Sequence, residues 1–260
     1  MTPVKATSSE HLSELIHECM KTHGPHCALN HIDVSDITNM SSLFEGSEFN
    51  GDISEWNTSK VHCMESMFFN SRFTGDISRW NVSNVSTMSH MFSNSAFEGD
   101  ISRWDVSSVT NMSAMFYRAK FAGGLSKWDV SNVEEMESTF QKSAFDGDLS
   151  KWDVRRVINM TYVFKNGSFS GNISNWDLAS LKYAEEAFTS FQDNALGYLG
   201  VLQGDYALSQ DFPRAAQFHQ LRALAEGLDL DPMGAARFIA REMHQPELVV
   251  NLPTSLDFSA

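Results

Sequence analysis

No stretch of the 260 residues is apolar for long enough to cross a bilayer, which excludes a membrane-spanning helix on sequence grounds. The first residues, Met1-Thr-Pro-Val-Lys-Ala-Thr-Ser-Ser-Glu10, hold no apolar core of a secretory signal, so the expected location is the cytoplasm. A cell-surface location is the alternative if a leader has been removed. Cysteine is scarce: Cys19, Cys27 and Cys63 form no CxxC pair and are odd in number, as expected of reduced thiols. Positive charge is also short, 19 Lys and Arg against 33 Asp and Glu, a net charge of −14 that disfavours nucleic acid and anionic membrane as partners. No GxSxG, P-loop, HExxH or dinucleotide fingerprint occurs, so neither an enzyme nor a bound cofactor is expected.

What the chain does contain is a period. Trp56, Trp80, Trp104, Trp128, Trp152 and Trp176 lie 24 residues apart, the mark of units that stack on their neighbours. Each unit opens on Phe (Phe49, Phe73, Phe97, Phe121, Phe145, Phe169), with Gly two residues later and Ile or Leu two beyond that. A second apolar set closes it, as in Val85, Met88, Met91 and Phe92. A degenerate copy (Leu29, Ile32, Val34, Ile37, Met40, Leu43, Phe44) precedes the first tryptophan, giving seven coils. At strand spacing their stack would be on the order of 30 Å long.

The two halves of the unit differ in period. Ile-x-x-Trp-x-Val ends in the alternation of a short strand, and Val-x-x-Met-x-x-Met-Phe has the spacing of a helical turn or two. Phe-x-Gly-Asp between units reads as a turn in which Gly takes positive φ and Asp bonds local backbone. The tryptophans belong in the interior, each indole needing an acceptor for its N–H.

The unit Phe-x-Gly-Asp-Ile-Ser-x-Trp-Asp-Val-Ser-x-Val-x-x-Met-x-x-Met-Phe resembles the BspA-type leucine-rich repeat of bacterial surface proteins, seen also in protists and phages. The resemblance covers about Leu29 to Phe191 and implies a right-handed solenoid used for binding, hence an α/β repeat solenoid as fold class. Residues 1–28 are expected to form an N-terminal capping region, 29–191 the solenoid, and 192–260 a helical C-terminal region. The cap is a helix from Ser9 to about His23, with Ser8 or Ser9 as N-cap and Leu12, Leu15, Ile16, Cys19 and Met20 as its apolar stripe. Gly24 and Pro25 stop it. In the C-terminal region, helices are expected around Asn194 to Leu202, after Asp211-Phe-Pro213 and after Asp231-Pro232.

Candidate binding residues flank the tryptophans. Arg79, Arg103, Lys127 and Lys151 precede four of them, and Asp105, Asp129 and Asp153 follow three, so a basic and an acidic ladder are expected side by side on an exposed strand face. Neighbouring columns of opposite sign would neutralise one another; a patterned docking face for a protein is the functional reading. Arg155 and Arg156 replace the usual Ser and Asn of the bend and complete the candidate set. His17, Cys19, His23, His26 and Cys27 lack the paired spacing of a zinc site, and one Asp per turn supplies too few ligands for calcium. The expected role is therefore a non-enzymatic module that binds and inhibits or regulates a protein, for instance as an inhibitor, immunity-type or phage counter-defence protein. The alternative is a cell-surface or virion adhesin, and the sequence leaves the oligomeric state open.

Overall fold

The computed structural model describes residues 3–171, 173, 176–178, 180–184 and 187. The expected helices beyond residue 191, together with the tail 247–260, lie outside the described residues.

Near the N-terminus, β1 (Val4–Lys5) pairs in parallel with β2 (Ile32–Asp33) in the first coil. Between them α1 spans Ser9–His23. The Ser8 side chain accepts a hydrogen bond from the His11 N–H at 3.1 Å, satisfying one donor that the helix leaves open. At the other end Gly24 takes φ 80° and donates its N–H to the Met20 carbonyl. The helix buries Leu12, Ile16 and Cys19, with Leu15 and Met20 packed at the margin. It is pinned by the Ser9 hydroxyl, which donates to the Asn39 carbonyl at 2.6 Å. Lys5 and Lys60 both bind Asp36, at 2.5 and 2.6 Å, which ties β1 to two coils at once.

Beyond β2 the units stack by parallel backbone bridges from Asn39 through Cys63, Thr87, Asn111, Glu135 and Asn159 to Tyr183, each 24 residues from the last. Around that line the local conformation departs from expectation. Among the described residues the Ile-x-x-Trp segments are turns: the Trp80 N–H donates to the Ile77 carbonyl at 3.1 Å, and the other copies do the same. Ile and Trp then point inward and the two residues between them outward, which exposes the expected columns without a strand.

The Val-x-x-Met-x-x-Met-Phe segment is not helical either. In the second coil Met64, Ser66, Phe68 and Asn70 donate their N–H groups to the coil above, to Thr87, Ser89, Met91 and Ser93, at 2.9–3.1 Å. Met67, Phe69 and Ser71 instead bond carbonyls three residues back in their own coil. A helix would spend every N–H within its own segment; sharing alternate ones between coils needs two reversals, made by Ser66 and Asn70 at φ 54° and 52°. The three- and four-residue spacing of the apolar side chains fits consecutive tight turns as well as it fits a helix.

The interior is filled by aligned side chains. Phe44, Phe68, Phe92, Phe116, Phe140 and Phe164 form one ring column with centroids 5.5–5.9 Å apart. Phe49 through Phe169 form a second at 6.1–6.4 Å. Such offset stacks add to the hydrophobic gain of burial. Each indole Nε1–H donates to a carbonyl 27 residues earlier: Trp56 to Leu29, Trp80 to Ile53, Trp104 to Ile77, and so to Trp176 and Leu149, at 3.0–3.1 Å. The tryptophans thereby lock adjacent coils together.

The recurring glycine has another reason than the one expected. Among the described glycines only Gly24 and Gly46 have positive φ. At Gly99 a Cβ would lie 2.7 Å from the ring of Phe97, which folds back over it.

Candidate docking faces

The residues flanking Trp lie in a corner whose polar side chains serve its own turns. Asp76 and Asp100 accept from the Ser78 and Ser102 N–H groups at 2.9 Å, and Asp148 from Ser150 at 2.9 Å. These bonds hold all three carboxyls below the usual range, with Arg79, Arg103 and Lys151 adding to the shift. The charges nearest the basic column are therefore the aspartates of the Gly-Asp turn, not those after Trp. In the unit of Lys127 that aspartate is replaced by Gly124. Asp105 accepts from the Ser107 hydroxyl and N–H at 2.6 and 3.1 Å, and Asp129 from the Ser131 N–H at 3.0 Å.

Arg79, Arg103, Lys127, Lys151, Asp105 and Asp129 are exposed, and Asp153 is half-buried. No two of them form an ion pair among the described residues. Arg155 grips Asp153, its Nε and Nη2 donating to the two carboxylate oxygens at 2.9 and 2.6 Å. That hydrogen bond is the main cause holding the Asp153 carboxyl low and raising the arginine. Arg156 reaches down one coil to Asn132 at 2.8 Å and Glu134 at 3.3 Å. The two arginines therefore have partners within the chain. Equivalent contacts recur at the second position: Lys60 on Asp36, and Asn84 and Asn132 on carbonyls of the coil below.

A second face, which sequence reasoning missed, lies along the Met–Phe segment. Its signal is the residue four after each reversal: Gly46, Asn70, Asn94, Arg118, Lys142, Asn166, all at positive φ of 52–62°. Gly and Asn suit that conformation; Arg and Lys do not. Beside them Arg118 lies over the Tyr117 ring at 5.3 Å, and Lys165 over Tyr162 at 4.5 Å. Lys120 lines a shallow open groove of about 420 Å³ with Thr74, Ala96, Glu98 and Gly99.

No cluster of three or more His, Cys, Asp or Glu among the described residues could hold a metal ion. Cys19, Cys27 and Cys63 are free thiols, and burial, with the Cys19 thiol beside it, pushes Cys27 up to about 12. No described helix is long and apolar enough to cross a membrane.

One family model, described as a Mycoplasma protein of unknown function, DUF285, matches residues 10–121 and again 94–196. The chain belongs to this family. The two matches to the DUF285 model overlap by about one coil and together run from α1 past the last tryptophan, as expected of a repeat family laid twice along one array. No curated protein and no solved structure matches the chain.

Proposed function

We propose that this member of the DUF285 family is a right-handed, BspA-type leucine-rich-repeat-like solenoid, used as a non-enzymatic module that binds and inhibits or regulates a protein partner in the cytoplasm. The observation that supports it most is the division of labour in each coil. Phe, Trp, Met and Val fill the interior, while the outward positions carry charge that varies from coil to coil. An array of that kind presents an extended surface of stacked, independently variable positions. Three free thiols agree with a reducing compartment. The bacterial surface repeats that the unit resembles favour a second reading, a cell-surface or virion adhesin.

Affinity capture with the purified full chain, in wild-type form and with Arg155→Glu and Arg156→Glu, tests the first reading. Since Arg156 also holds Glu134, thermal unfolding of the variant is measured alongside. The expected result is one partner retained in fixed stoichiometry by wild type. If no charge reversal on either exposed face changes what is retained, the interaction reading fails. Recovery of the protein on the outer surface after cell fractionation would replace the cytoplasmic reading with the adhesin.

A further inference from the structure

We infer that the Met–Phe face of the fourth to sixth coils, centred on Arg118 and Lys142, is a docking surface for an acidic segment of a protein partner. This rests on the interaction reading above and gives that partner a chemistry and a place.

The first reason is local strain without a folding benefit. A side chain at φ near +55° meets the following carbonyl, an expense that Gly avoids and Asn lessens. Gly46, Asn70, Asn94 and Asn166 obey this rule at the reversal; Arg118 and Lys142, at φ 53° and 57°, break it in two consecutive coils. At the companion reversal the bulky residues are His90 and Tyr162, each at φ 57°, in the third and sixth coils. Sites where a chain departs from its own local rule are where function is to be sought. Here the two basic departures stand in adjacent coils.

The second reason is charge. Residues 114–120, 138–144 and 162–168, the same stretch of three successive coils, contain Arg118, Lys120, Lys142 and Lys165 and no Asp or Glu, within a chain of net charge −14; Glu137 stands just before the second. Arg118, Lys120 and Lys142 are exposed, and none has an ion-pair partner within 4.0 Å among the described residues. Lys5, Lys60, Arg72, Arg155 and Arg156 are paired. Arg79, Arg103, Lys127 and Lys151 of the Trp corner share the lack of an ion pair among the described residues, but have acidic residues of the Gly-Asp turns and after Trp around them. Arg118 and Lys142 occupy the same place in successive coils, so their backbones stand about one strand spacing, roughly 5 Å, apart along the stack. Carboxylates of an extended peptide can meet such a row; the groove beside Lys120 is also lined by Glu98 and suits a neutral side chain between them.

A nucleic acid fits less well. One ring face of Tyr117 and of Tyr162 is covered by Arg118 and Lys165, which takes it from base stacking, and the acidic remainder of the chain repels a long polyanion.

The test uses the full chain and a fluorescently labelled ten-residue peptide of alternating Glu and Ser. Polarisation is read at about 20 mM salt, where screening is weak. Wild type is expected to bind saturably, and the double variant Arg118→Asn with Lys142→Asn to bind about five- to tenfold more weakly. Asn already stands at this position in three other coils, so the variant is expected to melt no lower than wild type. Arg79→Ser with Arg103→Ser, on the Trp corner, should change binding less than about twofold. Three results would overturn the proposal: no saturable binding, equal weakening by both double variants, or displacement of the peptide by a single-stranded oligonucleotide at equal charge. If a captured partner is lost with Trp-corner variants but kept by Arg118→Asn with Lys142→Asn, the interaction module stands and this surface does not.

Discussion

The Trp corner and the Met–Phe segment are both repeated from coil to coil, yet they use side chains in opposite ways. At the corner, side chains make the backbone bonds that shape the turn: Asp to the N–H two residues on, and the indole to a carbonyl one coil down. Asp and Trp recur there because each has a structural partner, whereas the residue before Trp varies. Along the Met–Phe segment the backbone bonds its neighbours directly, alternate N–H groups going up one coil. The outward side chains are then dispensable for the fold, and they vary: Ser66, His90, Ser138 and Tyr162 at one reversal, Asn94, Arg118 and Lys142 at the other. Regular backbone bonding frees side chains for other uses, at the expense of some local strain.

Substitution at the corner is the strongest way to break this contrast. Trp104→Ala removes an indole that is 4 % exposed, its ring contact with Trp128 and its bond to Ile77. Urea denaturation is expected to show a loss of about 3–5 kcal/mol. Trp104→Phe keeps most of the apolar surface and removes one of the two donors to the Ile77 carbonyl, which retains the Trp80 N–H, a loss of about 0.5–1.5 kcal/mol. No loss from Trp104→Phe would show that the hydrogen bond contributes little beyond packing. Next in size is Gly99→Ala, whose methyl would overlap the Phe97 ring and force it to shift, expected to destabilise by about 1–3 kcal/mol. A neutral result would mean that the ring yields freely and that glycine is there for another reason.

The period, the inward Trp and the bounds of α1 could all be read from the residues, because each rests on strong local signals: Ser8 before the helix, Gly24 after it, and a 24-residue register. The conformation inside the unit could not. Met64, Met67 and Phe68 fit a helical face, and nothing local betrays that Ser66 and Asn70 reverse the chain, since their positive φ is imposed by bonds to the next coil. The recurring glycine misled for a similar reason: its partner is the Phe two residues earlier, a contact that exists only once that ring folds back. At the candidate site, the exposure of the charged columns followed from the inward Trp. The pairing of Arg156 with Glu134, 22 residues earlier, depends on stacking and was hidden.

Acid titration compares the two regions without mutation. Hydrogen bonds from Ser54, Ser78 and Ser102 hold Asp52, Asp76 and Asp100 below the usual carboxylate range, and Lys5 and Lys60 take Asp36 down to about 2. A carboxyl depressed in the folded state stabilises the fold at pH above its unfolded value, and that contribution disappears as pH falls through the folded value. The melting temperature should therefore be flat from neutrality to about pH 4 and decline from there to about pH 2. Amide exchange should quicken first at the Asp turns and at β1, while the Met–Phe segment holds until global unfolding. Simultaneous loss in both regions would show that the coil unfolds as one unit and that the turn bonds are not separately titrated.

The smallest effect separates the regions most sharply, because its sign is opposite. Lys142 stands at φ 57°, where Asn is better suited, and it is exposed with no ion pair among the described residues. Lys142→Asn is therefore expected to stabilise by about 0.5–1 kcal/mol, or about 1–3 °C in melting temperature for a chain of this size. Lys151→Asn makes the same chemical change in the Trp corner, at a residue without positive φ, and should stay within about 0.5 kcal/mol of wild type. Differential scanning fluorimetry of the two variants at neutral pH decides between backbone strain and charge as the cause. If both rise together, relief of charge repulsion explains the gain. A fall for Lys142→Asn alone would mean that this lysine contributes to the fold, and the strain argument for its face would lose its basis.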